Sequence, residues 1–254
     1  MENRFQFQDF IKAFALSILL YAGLTGLFAV VPQASQIIEG FPPIFSFIIQ
    51  YLLQFVLLFF PLWIFVVNKY SATLEDFGFR PVSWKTVLKT ITACYSFYLI
   101  VSFSIATLLS ALDLRIPGYE TQNSYLPLFG TDLVGILIGF IFITIVAPFL
   151  EELLFRGFIY RVFLKTWPPA LASFLTALLF ALVHLQLQSF FPLFLLGLLL
   201  NYSYKKTDSV WTAVAFHSLN NLIAFSVSIA LTVHPEWLKA LAEATAFLYT
   251  VKIF

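Results

Sequence analysis

Apolar runs of about 20 residues, separated by short charged connections, recur along nearly the whole chain and constrain it more than any other feature. From Phe10 to Val31 the only charge is Lys12. Further runs extend from Ile44 to Val67, Thr86 to Leu112, Leu133 to Lys165, Pro169 to Gln188, Phe190 to Tyr204 and Ser209 to Val233. In lipid every backbone N–H and C=O must be paired within the chain, so runs of this length are expected to be helices. With 61% hydrophobic and 11% charged residues the chain cannot cover a water-soluble surface, which usually carries about a quarter charged residues. The expected fold is all-α, a polytopic transmembrane helix bundle of about seven to eight helices. Residues 1–254 are read as a single integral membrane domain, without internal repeats. The run from Leu133 to Lys165 is too long for a simple span. The tail from Glu236 to Phe254 is read as either an eighth, weaker span or an interfacial helix. The first run lacks a small-residue cleavage site and is expected to be a retained span rather than a signal peptide.

Charge orients the bundle. Lys69, Arg80, Lys85 and Lys89 cluster around the second connection; Arg161 and Lys165 end the fourth helix; Lys205 and Lys206 end the sixth. The stretches from Pro32 to Pro43 and from Leu185 to Pro192 carry no Lys or Arg, and that from Asp113 to Thr131 carries only Arg115. Every second connection is therefore positive, which predicts a cytoplasmic N-terminus in a cell (plasma) membrane. The lipid bilayer is the expected environment. A net charge of +1 gives no reason to expect nucleic acid as a partner. The single cysteine, Cys94, excludes an internal disulfide and a cysteine-based metal cluster.

A few polar side chains do not belong in such runs. "FLEELLFRGF" holds Glu151, Glu152 and Arg156; "FALVH" holds His184; "HSLNN" holds His217, Asn220 and Asn221; His234 sits at a span end. Glu152 and Arg156 are four apart, so they share a helix face and can pair. Glu151 lies about 100° away around the helix and is left for something else. Pro148 cannot donate to the carbonyl of Thr144, which should kink the helix and free a polar backbone group nearby. His217 and Asn221 share a face, as do Phe180 and His184. At 1.5 Å per residue, Glu151 lies ~21 Å from Lys165, His184 ~22 Å from Pro169, and Asn221 and His217 ~18 and ~12 Å from Ser209. These depths are similar enough for three helices to build one polar pocket. Taken singly, His184 reads as a helix–helix hydrogen bond, Glu152 with Arg156 as a structural clip, and Asn220 as packing. Taken together, Glu151, His184, His217 and Asn221 read as a functional site, because ionisable groups inside a membrane are expensive.

The chemistry available to that set is water activation. There is no GxSxG nucleophile elbow and no HExxH helix. Glu151 could act as general base, with His184 orienting the same water. His217 and Asn221 could donate to a developing oxyanion, and Arg156, anchored by Glu152, could steady the glutamate helix. The reaction class is hydrolysis of a peptide or other acyl bond at or within the membrane. Zinc fits the same residues, with Glu151, His184 and His217 as three ligands and an open water position. Two other functions use similar residues. A proton-coupled transporter would need an intramembrane relay, though no duplicated halves are visible. A non-catalytic scaffold or immunity protein would need only the bundle.

The motifs Glu-Glu-three residues-Arg, Phe-three residues-His and His-three residues-Asn, in this order on successive helices, resemble the CPBP intramembrane protease family. That family includes CAAX prenyl endopeptidases of the Rce type and bacterial Abi-like proteins. The resemblance covers a protease-like core of about residues 133–233. It implies a helical fold with a catalytic cavity open toward the cytoplasmic side. By motif position it makes Glu151 the water-activating glutamate, Glu152 the second glutamate, Arg156 the motif arginine, His184 the water-associated histidine, and His217 with Asn221 the oxyanion pair. It leaves glutamate-dependent and metal-dependent catalysis both open. The implied substrate is a peptide or membrane protein, lipidated in the CAAX enzymes.

Overall fold

A computed structural model describes residues 4–31, 36–37, 40–112, 114, 129, 132–234 and 236–237. Among these residues there is no strand, and the chain forms seven helical rods. They are α1 (Phe7–Val30), α2 (Pro43–Leu62, continued by the π-helical Trp63–Asn68), α3 (Trp84–Ala111), α4 (Leu133–Thr166), α5 (Pro169–Val183), α6 (Phe190–Thr207) and α7 (Val210–Val233). Five of them, α1 to α4 and α7, are long and apolar enough to cross a membrane. The protein is an all-α integral membrane bundle. Large apolar side chains such as Leu19, Ile100, Phe103 and Leu133 are exposed on its outside, as contact with lipid requires. Most of the expected tail from Glu236 onward and most of the 113–131 connection lie outside the described residues.

The rods start where local chemistry allows. Ser83 accepts from the Thr86 N–H at the start of α3. The Asp132 carboxylate accepts from Val134 and Gly135 N–H at the start of α4, both at 3.0 Å. These side chains satisfy donors that the first helical turn leaves unpaired. α5 and α6 form a hairpin with the most extensive helix–helix contact among the described residues. A Cβ at Gly197 would stand 3.1 Å from Ala177, so glycine lets these two backbones approach closely. α7 packs against α4, α6 and α3, which surrounds the middle of α4 with helices.

α4 differs from an ordinary span in two ways. Its 34 residues would extend about 51 Å, well beyond a hydrocarbon core of about 30 Å. Its α-helical middle, Ala147–Glu152, lies between two π-helical stretches, Phe140–Val146 and Leu153–Ile159. π turns are rare and concentrate at functional sites.

The basic connections meet at one end of the bundle. Arg4 pairs with Asp76 at 2.7 Å and Lys69 with Asp9 at 2.6 Å; Arg80 pairs with Asp208. Arg161 donates to the Asp76 carbonyl at 2.6 Å, Lys165 to the Phe5 carbonyl at 3.1 Å, and Ser209 to the Arg80 carbonyl at 2.6 Å. The alternation read from the sequence is thus a spatial fact. The N-terminal segment, the α2–α3 connection, the end of α4 and the α6–α7 turn share one side. The Asp76 carboxyl is held below the usual range by the Thr73 backbone N–H and by Arg4. Phe77 and Phe79 of the same connection turn inward, Phe77 against Gly157 and Phe79 against Phe149 and Trp211.

Candidate active site

Glu152 and Arg156 stack on one face of α4, as their spacing predicts, and both are fully buried. Arg156 Nη1 donates to Glu152 Oε1 at 3.0 Å. The arginine does more than steady its own helix. Nη2 donates to the Gly197 carbonyl at 2.9 Å and Nε to Asn201 Oδ1 at 3.0 Å, both on α6. Its guanidinium lies over the Phe180 ring, 4.7 Å from the centroid. Each nitrogen and one face of the buried cation therefore has a partner, which is what makes a charge tolerable there.

Glu152 Oε1 also accepts from His217 Nδ1 at 2.8 Å. A carboxylate can only accept, so Nδ1 carries the proton and Nε2 of the neutral ring presents a lone pair. The same logic fixes His184, whose Nδ1 lies 2.6 Å from the Phe180 carbonyl. α5 ends at Val183, not at Gln188 as expected, and His184 is its C-cap. Leu185 then turns the chain with φ of 53°. The Phe180 carbonyl belongs to a last turn whose acceptors have no intrahelical donors, so the cap histidine satisfies one of them.

Both Nε2 atoms face Glu151. His184 Nε2 lies 3.6 Å and His217 Nε2 4.0 Å from Glu151 Oε2. That oxygen is buried and makes no hydrogen bond among the described residues. Three acceptors pointing at one another need a hydrogen between them, and a water molecule supplies it most simply. The Glu151 side chain keeps 32% of its surface exposed, whereas Glu152 keeps none. Adjacent in sequence, the two carboxylates occupy different surroundings: one is partly exposed, the other is the hub of a buried network. Tyr51 of α2, against Phe142 of α4, lies within electrostatic range of Glu151.

Asn221 does not bond His217. Its Nδ2 donates to the Ile143 carbonyl at 3.0 Å. The π register explains this partner. Ala147 N–H bonds Phe142 O, five residues back. At the same offset the next donor would be residue 148, but Pro148 has no N–H, so Ile143 O loses its backbone donor. A freed carbonyl was expected at Thr144; the π turn moves it by one residue. The other amide hydrogen of Asn221 stays uncommitted among the described residues. Asn220 Nδ2 donates to Asn221 Oδ1 at 3.4 Å. His234 caps α7 and bonds Glu236 at 3.0 Å, away from the cluster. Cys94 is buried core.

Sequence reasoning missed Asn201. Beyond its bond to Arg156, its Nδ2 donates to the Ser173 carbonyl of α5 at 2.9 Å. A carboxylate with two imidazole Nε2 atoms is a donor set that suits zinc in type. Among the described residues, however, no group of three His, Cys, Asp or Glu is arranged to hold a metal ion.

Comparisons with known proteins bear on the segment that carries these groups. The chain is 29% identical over 177 residues to the UPF0177 protein YbdI of Lactococcus lactis, an alignment covering 68% of this chain and 91% of that one. No solved structure matches. Residues 133–223 match the model of the Rce1-like type II CAAX prenyl endopeptidases. Through that segment, which holds Glu151, Glu152, Arg156, His184, His217 and Asn221, the chain is similar to the Rce1-like type II CAAX prenyl endopeptidases.

Proposed function

We propose that this membrane protein is an intramembrane endopeptidase that hydrolyses a peptide bond with water activated by Glu151. The observation that carries the reading is the buried Glu151 Oε2, without a hydrogen bond among the described residues, facing Nε2 of His184 and His217. A water held between Glu151 and His184 donates one hydrogen to each. Glu151 accepts the proton as the water oxygen attacks the scissile carbonyl. The tetrahedral oxyanion is met by the uncommitted Asn221 N–H, while the neutral His217 ring, protonated at Nδ1, keeps its Nε2 lone pair toward Glu151 and the proton it gains. The proton on Glu151 then passes to the departing amine, and the C–N bond breaks. Arg156 and Glu152 take no part in bond making; they hold His217 in place.

The substrate is a peptide or membrane-protein segment, lipidated near its C-terminus, presented from the bilayer. The basic end of the bundle faces the cytoplasm, in the cell membrane, and residues 1–254 act as one membrane domain. Hydrolysis in 18O-labelled water tests the chemistry. A cleaved peptide should carry one 18O in its new carboxyl group. A product lacking that label would exclude direct attack by water.

A further inference from the structure

We propose that Asn201 is a positioning residue for this reaction: by fixing the plane of Arg156 it determines which ring nitrogen of His217 holds the proton. The inference rests on the reading of Glu151 and His217 as reacting groups.

Asn201 is fully buried in α6. A buried amide is costly unless its hydrogen-bonding groups are used, and both ends of this one are. Oδ1 accepts from Arg156 Nε at 3.0 Å, while Nδ2 donates to the Ser173 carbonyl at 2.9 Å and lies 3.3 Å from Ser173 Oγ. The residue therefore joins α4, α5 and α6 at one point.

The guanidinium is a rigid planar fork. Three acceptors define its plane: Asn201 Oδ1 on the Nε edge, Gly197 O on Nη2 and Glu152 Oε1 on Nη1. Without Asn201 both remaining acceptors sit on the terminal nitrogens, and the group can pivot about them while Nε loses its partner. Glu152 has no other described side chain besides Arg156 and His217 on Oε1, and its Oε2 is buried and unbonded. Its aim thus depends on Arg156. The aim of Oε1 holds the proton on His217 Nδ1, and that leaves the Nε2 lone pair directed at Glu151. The path runs Asn201, Arg156, Glu152, His217, Glu151, with a direct contact at each step.

A purely structural role would be an interhelical clip between α5 and α6. The two roles separate chemically. Asn201→Asp keeps an oxygen acceptor for Arg156 Nε but has no N–H for Ser173, so it loses the clip and keeps the positioning contact. Asn201→Ala loses both.

The experiment uses the full chain in detergent, labelled with 15N in its three histidines, with His217→Gln to assign the His217 ring signals. Long-range 1H–15N spectra report the tautomer of each ring and need no substrate. The wild type and Asn201→Asp should show His217 with the proton on Nδ1; Asn201→Ala should show it shifted toward Nε2 or averaged. With a quenched fluorescent peptide that the wild type cleaves, Asn201→Ala should lower kcat on the order of 10-fold, the loss typical of an outer-shell partner, with KM unchanged. Asn201→Asp should restore kcat. An unaltered His217 signature in Asn201→Ala would overturn the proposal. If Asn201→Ala does not fold, Asn201→Asp decides alone: a wild-type signature supports positioning, and a lost one overturns it. Failure of the wild type to cleave any peptide would count against the peptidase reading and leave the tautomer result standing.

Discussion

Asn221 of α7 donates a hydrogen bond to the carbonyl of Ile143 in α4, the acceptor that Pro148 leaves without a backbone donor. The bond ties the helix of the HSLNN motif to the turn just before the two glutamates. It also predicts a coupling. Asn221→Ala should destabilise the protein by about 1–3 kcal/mol, the cost of an unsatisfied buried acceptor. Pro148→Ala restores an N–H at residue 148 and should make the loss at Asn221 smaller. Thermal unfolding of the two single variants and the double variant in detergent measures this. The coupling energy should be about 0.5–3 kcal/mol; strict additivity would mean that Asn221 and Pro148 do not share the carbonyl.

The Glu152–Arg156 pair is fully buried, so removing one partner should cost about 3–5 kcal/mol by leaving the other charge unpaired. Arg156→Met should therefore lower the unfolding temperature sharply. Glu152→Leu combined with Arg156→Met removes both charges and should recover much of that stability. It also removes the acceptor for His217 Nδ1, so peptide cleavage should stay low in the double variant. Recovery of activity with stability would show that Glu152 acts only as a counter-ion.

Asp76 predicts an acid-sensitive basic end. Its folded-state pKa is lowered by the Thr73 backbone N–H and Arg4. A lowered carboxyl pKa contributes stability that is fully present above the unfolded value of about 3.9. That contribution is lost as pH falls through the lower folded value. Asp76→Asn should therefore lower the unfolding temperature at neutral pH, and the difference from wild type should shrink as pH falls below about 4. A difference that stays constant with pH would locate the effect in packing instead.

Much of this organisation was legible in the chain. The apolar runs correspond to the seven rods within a few residues, because helices in lipid have little choice of length or pairing. The i, i+4 spacing of Glu152 and Arg156 gave their ion pair directly. Three features were hidden for identifiable reasons. The end of α5 at Val183 carries no glycine, asparagine or proline; Leu185 adopts a positive φ instead, and an apolar leucine gives no stop signal. The π stretches have no sequence signature beyond Pro148, so the freed carbonyl was expected at Thr144 and lies at Ile143. Asn201 lies four residues before Lys205, so helical period points to a partner on its own helix that it does not use. Its partners, Arg156 and Ser173, belong to other helices. Such a contact is invisible to any reading of helical period.

The convergence of Glu151, His184 and His217 followed from depth arithmetic, and the distances of 3.6 and 4.0 Å agree with it. What spacing alone did not reveal is the division of labour between the glutamates. Glu151 and Glu152 differ by one residue, and only the surrounding helices make one of them fully buried.

The claim that Glu151 is the general base is tested most directly by cleavage of quenched fluorescent peptides, lipidated and unlipidated, in detergent, with wild type and Glu151→Gln side by side, each with and without a chelator. Glutamine keeps the shape and cannot take the proton. Wild type should cleave a lipidated peptide equally well with and without chelator, and Glu151→Gln should be slower by about 100-fold or more, the scale of a lost general base. Cleavage lost with chelator and restored by zinc would make the site a metal centre at Glu151, His184 and His217. Equal cleavage by both proteins would contradict the assignment of Glu151 as the base.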